Sequence, residues 1–229
     1  MKSGVLGLIN SPAEPIDGFH ETTVQDGIEY EYCVEPHKTT TDQELGVTVQ
    51  TGHAATDIPD ETEDIEMSDG SITRVTKPVK QTLHTEWLLV PGEFLVIESG
   101  EGRFLYDILS SELGWSVNRA QLNLTSMAAD YEETHLWQLG FYGNTGTAEK
   151  GVVYGDHVVD DSDIGDALGR SQVNQLGIQY EFQQNIIKAS LTESGYIEVY
   201  QPSSFDSADF AAYIRNEVVD YVEGISVED

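Results

Sequence analysis

The chain has 229 residues, of which 41 are aspartate or glutamate and only 11 are lysine or arginine, so its formal net charge is −30. Hydrophobic residues make up 39% and aromatic residues 9% of the chain, which is enough for a packed core and argues against an intrinsically disordered protein. No segment approaches the roughly 20 consecutive apolar residues of a transmembrane helix. The sequence therefore predicts a folded protein without a membrane span.

The acidic residues are spread along the whole chain rather than gathered in one tail, which indicates a property of the entire surface. Such a charge weakens the compact state at ordinary ionic strength, whereas at molar salt the Debye length falls to roughly 3 Å and screens the repulsion. This composition resembles that of the cytosolic proteins of salt-accumulating haloarchaea and of their viruses and plasmids. The resemblance implies a protein adapted to a high-salt cytosol, or a virion component from such a host.

The N-terminal apolar run, Val5 to Ile9, is too short for the core of a signal peptide. Cys33 is the only cysteine, so no intramolecular disulfide can form. This fits a reducing compartment, and we expect a cytoplasmic protein. Cys33 itself lies in an alternating run typical of a strand.

The first part of the chain, residues 1–83, is predicted to be rich in strands and loops. Its strands are expected within 1–12, 27–35 and 45–51. Residues 52–71 combine charge, a proline and few apolar side chains, which favours a mobile, solvated loop. An acidic docking segment is the alternative interpretation.

The second part, residues 84–229, has the pattern of a compact domain. Residues 104–114 favour a short helix, and residues 135–142 and 151–159 favour a hairpin. Because strands outnumber helices and their connections are short, the sequence predicts an α+β fold with a mainly antiparallel sheet and few helices.

The C-terminal region predicts a strand-strand-helix unit. Tyr196, Glu198 and Tyr200 alternate with apolar Ile197 and Val199, so the three polar or aromatic side chains share one strand face. If the helix covers the apolar face, the tyrosine face is left for a partner, which is predicted to be another protein or a second copy of the chain. The unit resembles the half-repeat of TATA-binding-like folds, over less than a quarter of the chain.

No phosphate-binding loop, dinucleotide fingerprint, zinc motif or nucleophile elbow is present. The six histidines show no i, i+4 pair, so we expect surface or loop positions. One acidic run, Asp156 with Asp160, Asp161 and Asp163, supplies oxygen ligands of the kind that bind Mg²⁺ or Ca²⁺. The favoured interpretation of this run is a hydrated loop that caps a following helix, and the cation site is the alternative.

Three functional hypotheses remain open. The first is a non-catalytic interaction, regulatory, viral or plasmid accessory protein; the absent motifs make an enzyme the less favoured class. The second is a cation-dependent hydrolase that uses the aspartate-rich loop. The third is a nucleic-acid-associated regulator, for which Arg74, Lys77 and Lys80 form a basic cluster. An edge strand guarded by lysines is the favoured interpretation of that cluster.

Stability should depend on salt. We expect the fold to loosen or unfold below about 0.5 M salt, because unscreened carboxylates repel each other. Melting followed by circular dichroism across a KCl series measures this directly. A melting temperature that stays constant between dilute buffer and molar KCl would contradict the halophilic interpretation.

Overall fold

One antiparallel sheet of twelve strands runs through the computed structural model, which describes residues 1–9, 14–131, 134–143, 149–156, 158 and 171–223. The strands are, in chain order, β1 (Ser3–Ile9), β2 (Phe19–Gln25), β3 (Ile28–Asp42), β4 (Val47–Ser68), β5 (Ser71–Val90), β6 (Phe94–Ile97), β7 (Val117–Arg119), β8 (His135–Tyr142), β9 (Lys150–Tyr154), β10 (Gln172–Phe182), β11 (Asn185–Thr192) and β12 (Tyr196–Gln201). The helices of the described residues include α1 (Phe104–Leu113), α2 (Leu124–Asp130) and α3 (Ser207–Tyr213).

The strand order is β2-β3-β4-β5-β6-β1-β12-β11-β10-β8-β9, with β7 also paired to β1. Strand β1 therefore joins two groups of hairpins, since it pairs with β6 on one side and with β12 on the other. Its residue Leu6 is fully buried. Strand β1 is thus the seam that makes the two groups one sheet.

Helices cover both faces of this sheet. On one face, Leu105 and Leu109 of α1 pack in a cluster with Trp87 and Leu89 of β5. On the other face, α2 and α3 contribute to a larger cluster that includes Met127 and Phe210. Adjacent residues of β5 enter opposite clusters because side chains alternate across a strand.

Helix α3 begins at a capping box. The Asp206 side chain accepts hydrogen bonds from the backbone N–H groups of Ala208 and Asp209, and the Asp209 side chain accepts from the Asp206 N–H. These contacts satisfy backbone donors that a helix start leaves unpaired. Beyond Tyr213 the chain continues through one wider and one tighter helical turn, to Tyr221.

The predicted α+β class fits coarsely, although the sheet dominates. The strand-strand-helix ending, the helix from residue 104 and the hairpin that begins at residue 135 are confirmed. The predicted loop over 52–71 is wrong, because β4 and β5 continue as strands to their turn at Asp69 and Gly70. Cross-strand backbone hydrogen bonding, rather than burial, holds this segment extended.

The division into residues 1–83 and 84–229 remains a prediction. Strand β5 runs across residue 83, and β1 of the first part pairs with β12 of the second. Both features tie the two parts into the same sheet. Within the described part of the chain, none of the helices has the length and apolar character needed to cross a membrane.

Gly52 of β4 has a packing role that a substitution can test. A methyl group here would overlap the Glu35 carbonyl oxygen and the buried Trp87 ring. We expect Gly52→Ala to lower the free energy of unfolding by about 1–3 kcal/mol, the usual cost of overpacking, in urea titrations at molar KCl. Gly100→Ala, which meets open space, is the control, and equal stability of the two variants would contradict the prediction.

Candidate interaction site

The distal half of the β4–β5 hairpin extends beyond the rest of the sheet. Strand β3 pairs with β4 only as far as Thr56, and β6 pairs with β5 only from Trp87 onward. Among the described strands, none pairs with the outer edges of residues 57–82, which we call the β-arm. Each of its strands has about twelve residues, so the β-arm is about 40 Å long at the usual strand rise.

The turn at the end of the β-arm explains why this segment forms a hairpin. Asp69 and Gly70 both have positive φ, at 51° and 77°, as a two-residue type I′ turn requires. Asp26 and Gly27 close the β2–β3 hairpin with the same combination, at 53° and 80°. An Asp-Gly pair is therefore the sequence signal for both hairpins, and it identifies the β-arm where hydrophobic patterning does not.

Charge is segregated between the two strands of the β-arm. Its β4 half carries six carboxylates and no cation, whereas its β5 half carries Arg74, Lys77 and Lys80 and no carboxylate. Lys77 Nζ lies 2.6 Å from Asp64 and 3.3 Å from Glu66. Attraction across the ladder therefore supports the pairing of the two strands.

The other two cations are also paired. Lys80 Nζ lies 2.7 Å from Asp57, which also accepts a hydrogen bond from Thr82. The hydrogen bond from Lys80 is the main cause that lowers the pKa of Asp57 below its usual value, and the hydrogen bond from Thr82 is the second. Arg74 lies 3.6 Å from a carboxylate of β4. These contacts support a cross-strand role for the basic cluster rather than a phosphate-binding strip.

Large apolar side chains are exposed at the end of the β-arm. Ile65 is 61%, Met67 80% and Ile72 73% exposed. Met67 is paired with Ile72 across the ladder, and Ile65 lies two residues before Met67, so all three occupy one face. We call these three residues the apolar tip. A contiguous group of this kind on a projecting element is typical of a contact surface.

Prolines restrict how a partner can meet the β-arm. Pro59 lies in β4 and Pro78 lies in β5, opposite Lys80 and Glu61 respectively. A strand proline is tolerated where its nitrogen points away from the ladder, so each removes a donor from a free edge. This disfavours addition of another strand. The faces of the β-arm, and not its edges, are the surfaces suited to binding.

The predicted partner-binding face on β12 is arranged as expected from alternation. Ile197 and Val199 are buried, whereas Tyr196 and Glu198 are partly exposed and Tyr200 is 44% exposed. The Tyr200 ring meets Trp137 edge-on at 5.9 Å between centroids. Lys188 Nζ lies 4.7 Å above the same indole. This face is therefore partly occupied by its own side chains, and partner binding here remains a prediction.

Burial is the main cause that raises the pKa of both Tyr196 and Tyr200, and the negative charge of Glu198 is the second. We expect Glu198→Gln to lower both values, because a nearby carboxylate disfavours the phenolate. Site-resolved NMR titration of labelled tyrosine rings measures each group. Glu181→Gln, an exposed carboxylate on β10, serves as the control. Unchanged Tyr196 and Tyr200 titrations in Glu198→Gln would contradict the assignment.

The predicted cation-binding loop lies largely outside the described residues, because Asp160, Asp161 and Asp163 fall there. Asp156 is described, and its Oδ1 lies 2.7 Å from His135 Nε2. Binding of Mg²⁺ or Ca²⁺ by this run therefore remains a prediction. As the side chains lie in the described ranges, no group of three or more His, Cys, Asp or Glu residues could hold a metal ion.

No family model matches the chain, and no curated protein matches it in sequence. The candidate site therefore depends on the geometry described above.

Proposed function

We propose that this chain is a halophile-adapted, non-catalytic interaction protein that binds another protein through its β-arm. The observation that carries the proposal is the apolar tip, formed by Ile65, Met67 and Ile72 at the end of a projecting two-stranded ribbon. In a chain with 41 acidic residues, most exposed positions keep the surface hydrated. The apolar side chains grouped at the end of the β-arm do not contribute to surface hydration, so their exposure needs another explanation.

The energetics of a two-stranded ribbon support the same proposal. An isolated hairpin is at best marginally stable in water, and exposed ion pairs contribute little. The β-arm is held at its base by the sheet, while its tip has only its own cross-strand contacts. A partner that buries the tip adds the apolar contact that the β-arm lacks.

The proposed partner is a protein with an apolar groove and less negative charge than this chain. Molar salt screens the long-range repulsion between two copies, so charges in direct contact decide. A contact between the tips of two copies would bring their β4 carboxylates together, which disfavours a second copy. The carboxylates of β4 flank the tip and favour a groove with neutral or basic margins. Since both edges of the β-arm lack a donor at a proline, the groove is expected to receive a face of the hairpin.

The proposal is tested by affinity purification from a halophilic host in molar KCl, comparing the parent with Ile65→Ser/Met67→Ser/Ile72→Ser. We expect a stoichiometric partner that the parent retains. The triple variant should bind it more than about tenfold less tightly, because a few fully desolvated central residues carry most of the binding energy of an interface. Val152→Ser/Ile186→Ser, which removes exposed apolar side chains elsewhere, is the matched control and should retain the partner.

Two outcomes would contradict the proposal. Equal retention of the partner by the triple variant would place the contact elsewhere. Light scattering that shows a dimer in the parent and a monomer in the triple variant would identify a second copy as the occupant of the tip. Unfolding curves of all variants in the same buffer show whether the triple variant remains folded. We expect that it does, because all three positions are largely exposed.

A further inference from the structure

Three histidines from three neighbouring strands meet at the base of the β-arm. His53 Nδ1 and His84 Nε2 lie 2.8 Å apart, and the ring centroids of His37 and His53 are 4.4 Å apart. His37 belongs to β3, His53 to β4 and His84 to β5. The histidines were expected at surface or loop positions, and His37 and His84 are exposed. Their proximity to His53 is a result of folding that sequence spacing does not show.

A β-bulge brings the first of these rings into the group. Pro36 is paired with Gly52 and Lys38 with Thr51, so His37 is an extra residue in β3. Bulges re-aim side chains next to functional sites. Here the extra residue places the His37 ring against His53, with 41° between the ring planes. In a regular ladder one residue of β3 would be paired with Thr51 of β4. At the bulge, His37 and Lys38 together take that place.

We propose that His37, His53 and His84 bind a divalent transition-metal ion, with Zn²⁺ as the best-suited ion. Three imidazoles and one open position for water are an established zinc ligand set. The Oε2 atom of Glu35 lies 3.3 Å from His37 Nε2. A carboxylate in that position orients a ligating histidine and increases its basicity.

Small side-chain rotations create the site. The His53 ring lies beside both His37 and His84, at 4.4 and 5.0 Å between centroids, so the three rings do not surround a point. The His53 and His84 nitrogens are at hydrogen-bond distance. Nitrogens that share a tetrahedral zinc at 2.0–2.1 Å are about 3.3–3.4 Å apart. The pair therefore has to open by about 0.5 Å, and the His37 ring has to turn. His37 and His84 are exposed, so the surrounding chain does not oppose these movements.

The histidine ligands should select a different kind of metal ion from the carboxylates of the acidic surface. Carboxylates prefer hard cations such as Mg²⁺ and Ca²⁺, whereas imidazole suits zinc, nickel and copper. A chain of charge −30 attracts every cation, so weak binding of Mg²⁺ is expected across the surface. Binding that selects Zn²⁺ over Mg²⁺ at constant ionic strength is specific to the histidines.

The experiment is calorimetric titration of the full chain with ZnCl₂ in molar KCl, with Co²⁺ absorption as a second probe. We expect one Zn²⁺ per chain and a tetrahedral Co²⁺ spectrum in the parent. His53→Gln and His84→Gln should each weaken binding by more than about tenfold, since loss of even an outer-shell partner of a ligand costs 10–100-fold. MgCl₂ in place of ZnCl₂ should not reproduce the parent's isotherm.

His20→Gln and Cys33→Ser are the matched controls. Both residues lie on the same sheet and are paired with each other, but neither belongs to the proposed ligand set, so both variants should bind as the parent does. Equal zinc affinity in the parent, His53→Gln and His84→Gln overturns the proposal. A comparable loss in His20→Gln or Cys33→Ser overturns this choice of ligands.

Discussion

The uninterrupted antiparallel ladder between β4 and β5 determines where the candidate functional side chains lie. From Gln50 paired with Leu89 to Ser68 paired with Ser71, the two strands keep one register without a bulge. Side chains two residues apart therefore stay on the same face along the whole length. His53 near the base and Met67 near the end consequently share one face of the ribbon. The same ladder connects the buried sheet to the exposed tip.

The strands that border the ladder divide it into two regions with different stabilisation. Near Gly52 and Trp87, β3 and β6 flank the ladder and α1 packs below it. Beyond Thr56 the ladder depends on its own hydrogen bonds, its ion pairs and the Asp-Gly turn. The proposed zinc site lies where one region becomes the other. A metal that links β3, β4 and β5 at this point would fix the direction in which the β-arm leaves the sheet.

Sequence patterning predicts the parts of this fold that burial stabilises. The last hairpin was predictable because Ile197 and Val199 alternate with polar residues. The final helical segment, which is α3 and the wider turn after it, was predictable from the helical spacing of Phe210, Ile214 and Val218. In the β-arm, only the β5 half was indicated, as an edge strand with lysines. The β4 half was not predicted, because almost all its side chains are solvated and it lacks a hydrophobic periodicity. The Asp69-Gly70 turn was the usable local signal. Pairing of His37, His53 and His84 depends on strand register and a bulge, neither of which sequence spacing reveals.

The position of β1 in the sheet has a consequence for the order in which the protein can assemble during synthesis. Chains emerge from the ribosome N-terminus first, yet β1 is bounded by β6 and β12, and β12 is the last strand described. The hairpins from β2 to β5 can form while most of the chain is still absent. Strand β7 can pair with residues 7–9 of β1 at an earlier stage. Gly4 and Val5, however, gain their β12 partners only after Tyr196 and Ile197 have been made. Such distant pairing slows folding, so union of the two halves of the sheet requires the chain to have been made as far as β12.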